Sequence, residues 1–436
     1  MTGPGKEQML QKLGITALNE MQLAAHEAIR SHADIVLLSP TGTGKTVAFL
    51  LPIIESVDPE KRQVQVLILV PSRELAIQIE QVLREMGTGL KVNAVYGGRS
   101  GTRDKIELKH PPAILIGTPG RVADHIRREN IATEGIKTLI LDEFDKSLEI
   151  GFEDEMQEIV ASLKQLQKKI LTSATQKVPI PAFVGIQQPK RLNFLAGQSN
   201  RLQVRTLVSP DKDKLNSLAD LLGQLGDARG IVFCNFKDSI RFVSEFLDKK
   251  GIQHTVFHGG LEQTDRERSL IMFRNGTHRI LLATDLAARG IDVPELDFII
   301  HYQLPPKKEE FTHRNGRTAR MHREGTAYLL VWENGFVPDF IKDATELSVA
   351  PGHTPPRSSW TTLFVSGGRK DKISKGDIAG LFFKQGGLKK DELGVIELKA
   401  DCAFVAVPIK LAPQLIRSLN NSRLKKKKVR ISQLTD

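Results

Sequence analysis

The segment Ser39–Thr46 reads SPTGTGKT, and its residue types suit the binding of a phosphate group. Its glycines let backbone N–H groups turn inward, and the N-terminus of a following helix favours an anion. The lysine adds a positive charge, and the last threonine hydroxyl can ligate Mg²⁺. An apolar strand-like run precedes the segment, and a longer apolar stretch follows it, so a coincidental glycine-rich turn is disfavoured. The residues predicted to bind phosphate or metal are Thr41, Gly42, Thr43, Gly44, Lys45 and Thr46.

A pair of carboxylates ends a second apolar run, TLILDEFD, at residues 138–145. Asp142 is placed to hold Mg²⁺ through water, and Glu143 could orient or deprotonate an attacking water. Acids at a strand end could alternatively cap the next helix. The phosphate loop earlier in the chain favours the catalytic interpretation.

Three arginines lie close together in HRNGRTAR, at residues 313–320. Holding them together is costly unless an anion neutralises them. Arg317 and Arg320, three residues apart, would share one helical face and could reach a γ-phosphate across a cleft between domains. The alternative is the solvated basic start of a helix.

These residues must be positioned by a scaffold, and the sequence predicts that this scaffold is a parallel β-sheet. Apolar, β-branched runs alternate with amphipathic stretches, which is typical of βαβ units. In one predicted helix Ser72 is the N-cap and Gly87 the end, whereas a second helix is predicted to open at Ser239 and end at Gly251. The predicted strands are 34–38, 66–70, 113–116, 138–141, 169–172, 230–234, 255–257, 279–283, 298–301 and 327–331.

The chain of 436 residues is long enough for several domains. The strand pattern stops near residues 189–206, and a Pro-, Ser- and Gly-rich stretch follows later. We therefore predict an α/β domain at 1–200, a second at 201–348, a linker at 349–360 and a small domain at 361–436.

Charge is concentrated in the last of these domains. Residues 361–436 hold 16 basic and 7 acidic residues, whereas the preceding 360 hold 46 and 44. A nearly neutral body with a basic tail domain predicts a catalytic unit joined to a polyanion-binding module. A merely solvated basic surface is the alternative.

Composition also excludes several classes of protein. No apolar run is long enough to span a membrane, and the first residues lack the apolar core of a signal peptide. Cys234 and Cys402 are far apart and form neither a metal-binding spacing nor a disulfide framework. We expect a cytoplasmic protein, a monomer, with no membrane partner.

Over about its first 345 residues the chain resembles the DEAD-box ATP-dependent RNA helicases, which have two RecA-like domains in tandem. The resemblance rests on a dense series of motifs in the family's order. They are GITALNEMQ (14–22), SPTGTGKT (39–46), PSREL (71–75), GG (97–98), TPGR (118–121), DEFD (142–145), SAT (173–175), HGGLEQTDRE (258–267), ATDLAARGIDVP (283–294) and HRNGRTAR (313–320).

Several positions depart from the family pattern. The phosphate loop begins with Ser39 rather than Gly or Ala, and Phe144 replaces an alanine. Asn315 and Ala319 replace isoleucine and glycine in the arginine motif. The aromatic residue expected before the adenine-binding glutamine is absent, because position 5 is Gly5, which bears on nucleotide affinity and selectivity.

The resemblance implies ATP and Mg²⁺ as cofactors and RNA as substrate. Gln22 would read adenine and Asp292 would contact the ribose, while Arg317 and Arg320 would complete the site from the second domain. Ser173 and Thr175 would couple hydrolysis to domain closure. The implied RNA contacts are Pro71, Arg73, Gly98, Thr118, Gly120, Arg121, Gln263, Arg266 and Thr284.

The basic domain is predicted to have the βαββαβ order of an RNA-recognition-motif (RRM) fold. Its strands are predicted at 361–365, 394–398, 403–407 and 427–432, and Phe404 is as compatible with the core as with a stacking surface. The segment GGRKDKISKGDIAGLF resembles the C-terminal domain of DbpA-type helicases, which binds a hairpin of large-subunit ribosomal RNA. The candidate contacts are Lys370, Lys372, Lys375, Lys425, Lys426 and Lys427, and a solvated basic face is their alternative.

The fold class predicted for the whole chain is therefore α/β, with two tandem RecA-like parallel-sheet domains plus a small α+β domain. The predicted function is local, ATP-dependent unwinding of short RNA duplexes, targeted to large-subunit ribosomal RNA during ribosome assembly. An ATP-gated RNA clamp with little unwinding, and a DNA-directed helicase, are the alternatives.

Overall fold

The computed structural model describes residues 5–40, 42–98, 101–175, 179–195, 202–285, 293, 296–318, 325–341 and 344–435. The chain forms two compact units, with the division between residues 200 and 201. In the described part of the chain, no helix has the length and apolar character needed to cross a membrane.

The first unit is built on a parallel seven-stranded sheet in the order β3-β4-β2-β5-β6-β1-β7. Its central strands are buried on both faces, as an apolar run in a parallel sheet requires. The strands are β1 (Asp34–Leu38), β2 (Val66–Leu69), β3 (Val92–Val95), β4 (Ile114–Gly117), β5 (Thr138–Leu141), β6 (Lys168–Ser173) and β7 (Lys190–Asn193).

Helices cover both faces of this sheet. Ile35 and Leu37 pack into one apolar cluster, whereas Val36 and Leu38 pack into another, because successive side chains of a strand point to opposite faces. The helices are α1 (Lys6–Lys12), α2 (Glu20–Ser31), α3 (Lys45–Ser56), α4 (Arg73–Met86), α5 (Gly101–Leu108), α6 (Pro119–Arg127), α7 (Phe144–Ile150) and α8 (Glu153–Ser162).

The second unit contains another parallel seven-stranded sheet, in the order β10-β11-β9-β12-β13-β8-β14. Its strands are β8 (Leu202–Ser209), β9 (Gly230–Phe233), β10 (Thr255–Phe257), β11 (Ile280–Ala283), β12 (Phe298–His301), β13 (Gly325–Trp332) and β14 (Thr345–Glu346). The helices described around it are α9 (Leu215–Leu225), α10 (Lys237–Lys249), α11 (Gln263–Arg274) and α12 (Lys308–Asn315).

The same unit ends in an antiparallel four-stranded sheet of order β16-β17-β15-β20, with two helices on one face. The chain order is βαββαβ, as predicted. The elements are β15 (Trp360–Val365), α13 (Lys375–Lys384), β16 (Ile396–Leu398), β17 (Ala403–Pro408), α14 (Ala412–Leu419), β18 (Arg423–Leu424), β19 (Lys427–Lys428) and β20 (Ile431–Gln433).

The predicted last strand, 427–432, was partly wrong. Lys427 and Lys428 pair with Arg423 and Leu424 in a small hairpin, and only Ile431–Gln433 joins the sheet. Lys425 has a φ of 56°, a left-handed conformation that reverses the chain within the hairpin. The basic run therefore forms a turn beside the sheet.

The stretch predicted as a linker, 349–360, is held along the second parallel sheet by hydrogen bonds. The Gly352 amide donates to Asp220 at 3.0 Å, and the Ser358 amide donates to Gln253 at 3.1 Å. Arg279 donates to the carbonyl oxygen of Pro356, and the Ser358 hydroxyl donates to that of Gly276. These bonds join the stretch to the parallel-sheet part of the unit at several points.

The small sheet also contacts the parallel-sheet part directly. The Arg274 guanidinium makes two hydrogen bonds with Glu397, at 2.7 and 2.8 Å. The hydroxyls of Thr277 and Thr362 lie 2.8 Å apart. Glu397 and Thr362 lie on the sheet face opposite the helices, so this face is partly covered.

Candidate functional site

The phosphate-loop candidates lie between the end of β1 and the first turn of α3. Gly42 and Gly44 have φ values of 81° and 86°, which side-chain-bearing residues rarely adopt. A Cβ at Gly44 would lie 2.4 Å from Nε2 of Gln22, so a side chain at this position would displace the Gln22 side-chain amide. Thr41 is outside the described residues, and Thr46 is half-buried on the first turn of α3.

Lys45 is the first residue of α3, and only 7% of its surface is exposed. Its Nζ donates to the carbonyl oxygens of Ser39 at 2.6 Å and of Pro40 at 2.9 Å. The loop therefore folds around a buried ammonium group. This arrangement places a positive charge where a phosphate would meet the helix N-terminus.

The serine that opens the loop has a partner. Ser39 Oγ lies 2.8 Å from the Thr43 hydroxyl, which itself donates to the Pro40 carbonyl oxygen at 2.9 Å. The departure from the family pattern at residue 39 is thus accommodated by a hydrogen bond across the loop.

Gln22 contacts the phosphate loop through a helix cap. Asn19 caps α2 by accepting from the Gln22 amide at 2.9 Å, and the Gln22 side chain accepts from the Asn19 amide at 3.0 Å. Gln22 Nε2 donates to the carbonyl oxygen of Gly44 at 3.3 Å, and Asn19 Nδ2 to that of Thr43 at 3.1 Å. The Gln22 side-chain amide uses one N–H and one lone pair in these bonds, and the second of each could read adenine. The sequence analysis did not identify Asn19 as a helix cap, although Asn19 followed three residues later by Gln22 is a capping-box pattern.

The two carboxylates follow β5, as predicted. Asp142 is buried, and Thr172 donates a hydrogen bond to its Oδ1. Burial, and next the charge of Glu143, raise the pKa of Asp142 to about 6, while the Thr172 bond and the charge of Lys45 act in the opposite direction. The Lys45 ammonium and the Asp142 carboxyl therefore act on one another within one site.

Glu143 is half-buried and has a φ of 49° and a ψ of 49°, in the left-handed region. Its amide donates to the Thr172 hydroxyl at 3.1 Å. Thr172 thus supports both carboxylate positions, a role that sequence reasoning missed although the residue directly precedes the SAT motif. A strained residue beside a buried acid is typical of functional sites.

The SAT motif connects to the last acid of DEFD. The Thr175 hydroxyl donates to Asp145 at 3.0 Å, and the Thr175 amide donates to Ser173 Oγ at 2.9 Å. Burial raises the pKa of Asp145. Phe144 is 3% exposed and packs in the apolar cluster under α6 and α8, which explains how a ring fits where the family has alanine.

The RNA-contact candidates of the first unit follow three adjacent strands. Pro71 follows β2, Gly98 follows β3 and Thr118 follows β4, and parallel strands end at one sheet edge. Gly120 lies in the first turn of α6. The structure therefore brings these candidates together.

Two arginines flank the same loops. A Cβ on Gly98 would lie 2.4 Å from Nη1 of Arg73, so the guanidinium rests against this glycine. Arg121 pairs with the buried Asp104 at 3.0 Å and with Asp124 at 3.4 Å. These carboxylates hold Arg121, and its side chain remains 17% exposed.

The RNA-contact candidates of the second unit lie at the carboxyl edge of its parallel sheet. Thr284 follows β11, and Gln263 and Arg266 lie on the first turn of α11. The Arg266 guanidinium lies 5.0 Å from the Phe257 ring centroid. Arg317 is 6% exposed and follows α12. Asp292 and Arg320 are outside the described residues.

Arg314, to which the sequence assigned no role, is 1% exposed and so is more deeply buried than Arg317, at 6%. It donates to Asp285 at 2.7 Å, to the Gln303 carbonyl oxygen at 2.7 Å and to Asn235 at 2.7 Å. Asp285 neutralises Arg314, one of the three arginines of the motif. The sequence could have indicated this partner, because Asp285 is the acid that directly follows Thr284 in the ATDLAAR motif.

The six candidate lysines of the C-terminal domain fall on two neighbouring segments. Lys425 pairs with Asp377 at 2.9 Å, and Lys427 pairs with Asp371 at 2.8 Å, so the hairpin turn lies against residues 369–377. Hydrogen bonds from Ser374, and next the Lys425 bond, lower the pKa of Asp377 to about 2. The remaining four, Lys370, Lys372, Lys375 and Lys426, are exposed.

Phe404 does not belong to the core of this domain. It lies on the face opposite the helices, half-buried, with its ring centroid 5.7 Å from that of Phe364. Since Glu397 and Thr362 on the same face contact the parallel-sheet part, this surface is only partly open to a nucleobase.

Family comparisons match three consecutive parts of the chain. Residues 19–181 match the DEAD/DEAH box helicase family, residues 213–322 the helicase conserved C-terminal domain, and residues 362–433 the DbpA RNA binding domain.

Individual relatives match over nearly the whole length. ATP-dependent RNA helicase DbpA of Escherichia coli strain K12 is 31% identical over 446 residues, covering 99% of this chain and 97% of that one. DbpA of Bacillus subtilis strain 168 is 30% identical over 460 residues, covering 97% and 96%. S. cerevisiae Dbp5, solved with RNA and ADP BeF3, has a TM-score of 0.69 at 25% identity and covers 79% of this chain and 94% of that one.

These matches confirm the predicted fold class of two RecA-like domains plus a small α+β domain, and they confirm the predicted enzyme class. The chain belongs to the DEAD-box ATP-dependent RNA helicases of the DbpA type, with a DbpA RNA-binding domain after its two helicase domains.

Proposed function

We propose that this helicase locally unwinds short RNA duplexes near a hairpin of large-subunit ribosomal RNA to which its C-terminal domain binds, during ribosome assembly. The observation that carries the proposal is the grouping of lysines from residues 370–375 and 425–427 on a domain that matches the DbpA RNA binding domain. Its attachment to the second helicase domain through Arg274 and Glu397 supports a coupled action.

In the proposed ATP site, the residues of the first unit divide the work. Lys45 and the amides of Gly42–Gly44 bind phosphates, Gln22 reads adenine, and Glu143 orients and deprotonates the attacking water. The buried Asp142 carboxyl and the Thr46 hydroxyl are oxygen donors of the kind that Mg²⁺ takes together with nucleotide phosphates. When bound, Mg²⁺ would neutralise charge on the phosphates.

In the second unit, Arg317 and Arg320 are proposed to stabilise the charge that develops on the transferred phosphate, and Asp292 to contact the ribose. Ser173 and Thr175, bonded to Asp145, are proposed to couple the carboxylate motif to rearrangement of the RNA contacts. The proposed RNA contacts at the two sheet edges are Pro71, Arg73, Gly98, Thr118, Gly120, Arg121, Gln263, Arg266 and Thr284.

The ATP part of the proposal is tested with Lys45→Ala in the full chain. Loss of the buried ammonium should reduce ATP turnover at least about a hundredfold, because the charge bonded to the phosphates is removed. Binding of RNA by the C-terminal domain should remain within about twofold. Wild-type turnover in this variant would refute the proposed phosphate site.

The targeting part is tested by RNA affinity. We expect the full chain to bind a large-subunit ribosomal hairpin more tightly than random RNA of equal length, and Lys372→Glu with Lys426→Glu to remove that preference. Lys410→Glu, an exposed lysine of the same domain outside the cluster, is the matched control. Equal affinity for both RNAs would remove the targeting part.

An ATP-gated clamp with little strand separation is the second candidate, because the ATP and RNA motifs would serve it equally well. Measuring ATP turnover and short-duplex unwinding in the same preparation separates the two. Turnover without unwinding would favour the clamp. The expected monomeric state and cytoplasmic location stay predictions.

A further inference from the structure

A buried polar pair, His301 and Asn315, has no role in the function proposed above. His301 ends β12 and is fully buried, and Asn315 ends α12 with 6% of its surface exposed. His301 Nε2 lies 2.9 Å from Asn315 Oδ1. This asparagine occupies the position where the family motif has isoleucine, which offers no hydrogen-bonding group.

Both ring nitrogens of His301 have partners. Because Asn315 Oδ1 accepts, Nε2 carries the proton, which leaves Nδ1 as an acceptor facing Nη1 of Arg314 at 3.5 Å. Burial, and next the Arg314 charge, lower the pKa of His301 to about 3, so the ring is neutral at physiological pH. The ring thus joins Arg314 to Asn315.

Aromatic rings restrict the imidazole further. Its centroid lies 5.0 Å from that of Phe311 and 6.3 Å from that of Phe233. Phe233 also receives the Arg314 guanidinium at 5.1 Å. Rotation of the ring away from Asn315 would break this packing as well as two hydrogen bonds.

The residues joined by His301 hold the backbone around Arg317. The Arg317 amide donates to the carbonyl oxygen of Arg314 at 3.1 Å, and the Thr318 amide to that of Asn315 at 3.1 Å. The Thr318 hydroxyl anchors the turn on the Leu296 carbonyl oxygen. Displacement of Arg314 or Asn315 would therefore move the turn that carries Arg317.

We propose that His301 is a positioning residue, which fixes Arg317 for ATP hydrolysis through its bonds to Arg314 and Asn315. The proposal rests on the role proposed above for Arg317. A pair that only fills the domain core is the competing explanation, since a buried donor without its acceptor also costs stability.

The test uses His301→Phe, Asn315→Ile and the double variant in the full chain. Each single change leaves a buried polar group without its partner, so both should lower the melting temperature. The double variant replaces the pair by apolar side chains and should regain stability. If the pair positions Arg317, kcat of RNA-stimulated ATP hydrolysis stays at least about tenfold low in the double variant, with KM for ATP within about twofold. Recovery of kcat together with the melting temperature would overturn the proposal.

Arg317→Ala serves as the reference. In that background, His301→Phe should cause no further loss of kcat, because the group that it positions is gone. If His301→Phe lowered kcat by the same factor with and without Arg317→Ala, the two residues would act independently and the proposal would be contradicted. If the single variants fold poorly, the double variant His301→Phe with Asn315→Ile is compared with and without Arg317→Ala instead. Wild-type kcat in Arg317→Ala alone would remove the role of Arg317, and with it the proposal for His301, while leaving the phosphate site untouched.

Discussion

Glu143 combines a left-handed backbone conformation with a position beside the buried Asp142. Glu143→Gln keeps the side-chain volume but removes the proposed base, so hydrolysis should fall about 10²-fold or more, while ATP and RNA still bind. The expected result is an ATP-bound state that releases RNA slowly, measured as the RNA dissociation rate with ATP present.

Glu134→Gln, the same change at an exposed position, is the control for Glu143→Gln and should behave like wild type. Rapid RNA release by Glu143→Gln at saturating ATP would count against Glu143 as the base.

The buried His301 leads to a second prediction, which concerns how the stability of the fold depends on pH. Its pKa is about 3 in the fold against an ordinary value of 6.5, so the folded state resists protonation that the unfolded chain accepts. The folded protein therefore becomes less stable as the pH falls from 6.5 towards 3, because the unfolded chain binds a proton that the folded chain does not. About 2 kcal/mol of the free energy of unfolding is lost by pH 5. His301→Gln should therefore lose less stability than wild type between pH 7 and pH 5, measured by thermal melting.

The same substitution at an exposed histidine, His110→Gln, is the matched control for this measurement. Parallel melting curves for wild type and His301→Gln across this range would show that the imidazole is not held neutral.

At the scale of elements, helix α2 stabilises the phosphate loop through its cap. Asn19→Ala removes a capping bond and the bond to the Thr43 carbonyl oxygen, so we expect a loss of about 1 kcal/mol of stability. KM for ATP should rise about fivefold, the equivalent of one hydrogen bond. Enzyme kinetics and thermal melting of the same variant measure both.

A matched capping box, Ser374 with Asp377, begins α13 in the RNA-binding domain. Ser374→Ala should cost similar stability without changing KM for ATP. If Asn19→Ala also left KM unchanged, α2 would be a structural helix with no part in nucleotide binding.

Most strands could be predicted because they are apolar runs buried on both faces of a parallel sheet. The boundary region was harder. Residues 189–206 contain β7 and the first part of β8, although the sequence pattern stops there. β7 escaped notice because it is a mostly exposed edge strand of largely polar residues. Ser72 and Gly87 bound α4 as predicted, whereas α10 begins at Lys237 with Phe236 before it, two residues ahead of the predicted Ser239.

The candidate site shows the same division. Loop residues such as Lys45 are recognisable because their chemistry depends on local spacing. The partners of Arg314 could not be predicted from its motif, because Asp285, Gln303 and Asn235 come from three other segments. A charge count shows that an anion is needed but not which residue supplies it.

At the scale of the whole second unit, the pair Arg274–Glu397 links the RNA-binding domain to the helicase domain. The side chains are 21% and 14% exposed, so removal of either should matter more than loss of a surface pair. Arg274→Ala should raise the rate of proteolysis within residues 349–360 about tenfold, measured by limited digestion of the full chain.

Arg241→Ala, which removes the exposed partner of Glu245, should have almost no effect on that rate. The charge swap Arg274→Glu with Glu397→Arg should restore protection. An unchanged digestion pattern in Arg274→Ala would show that this pair does not hold the domains together.

The hydrogen bonds of Gly352, Pro356 and Ser358 have a consequence for substrate geometry. A flexible linker of this length would let the RNA-binding domain occupy a wide volume, so under the proposed function any distance between the bound hairpin and the strand to be separated would be tolerated. A linker that is hydrogen-bonded along its length instead fixes the position of the RNA-binding domain on the second helicase domain. Under the proposed function, substrates in which that distance is lengthened by a few nucleotides should bind as tightly as before but be unwound more slowly.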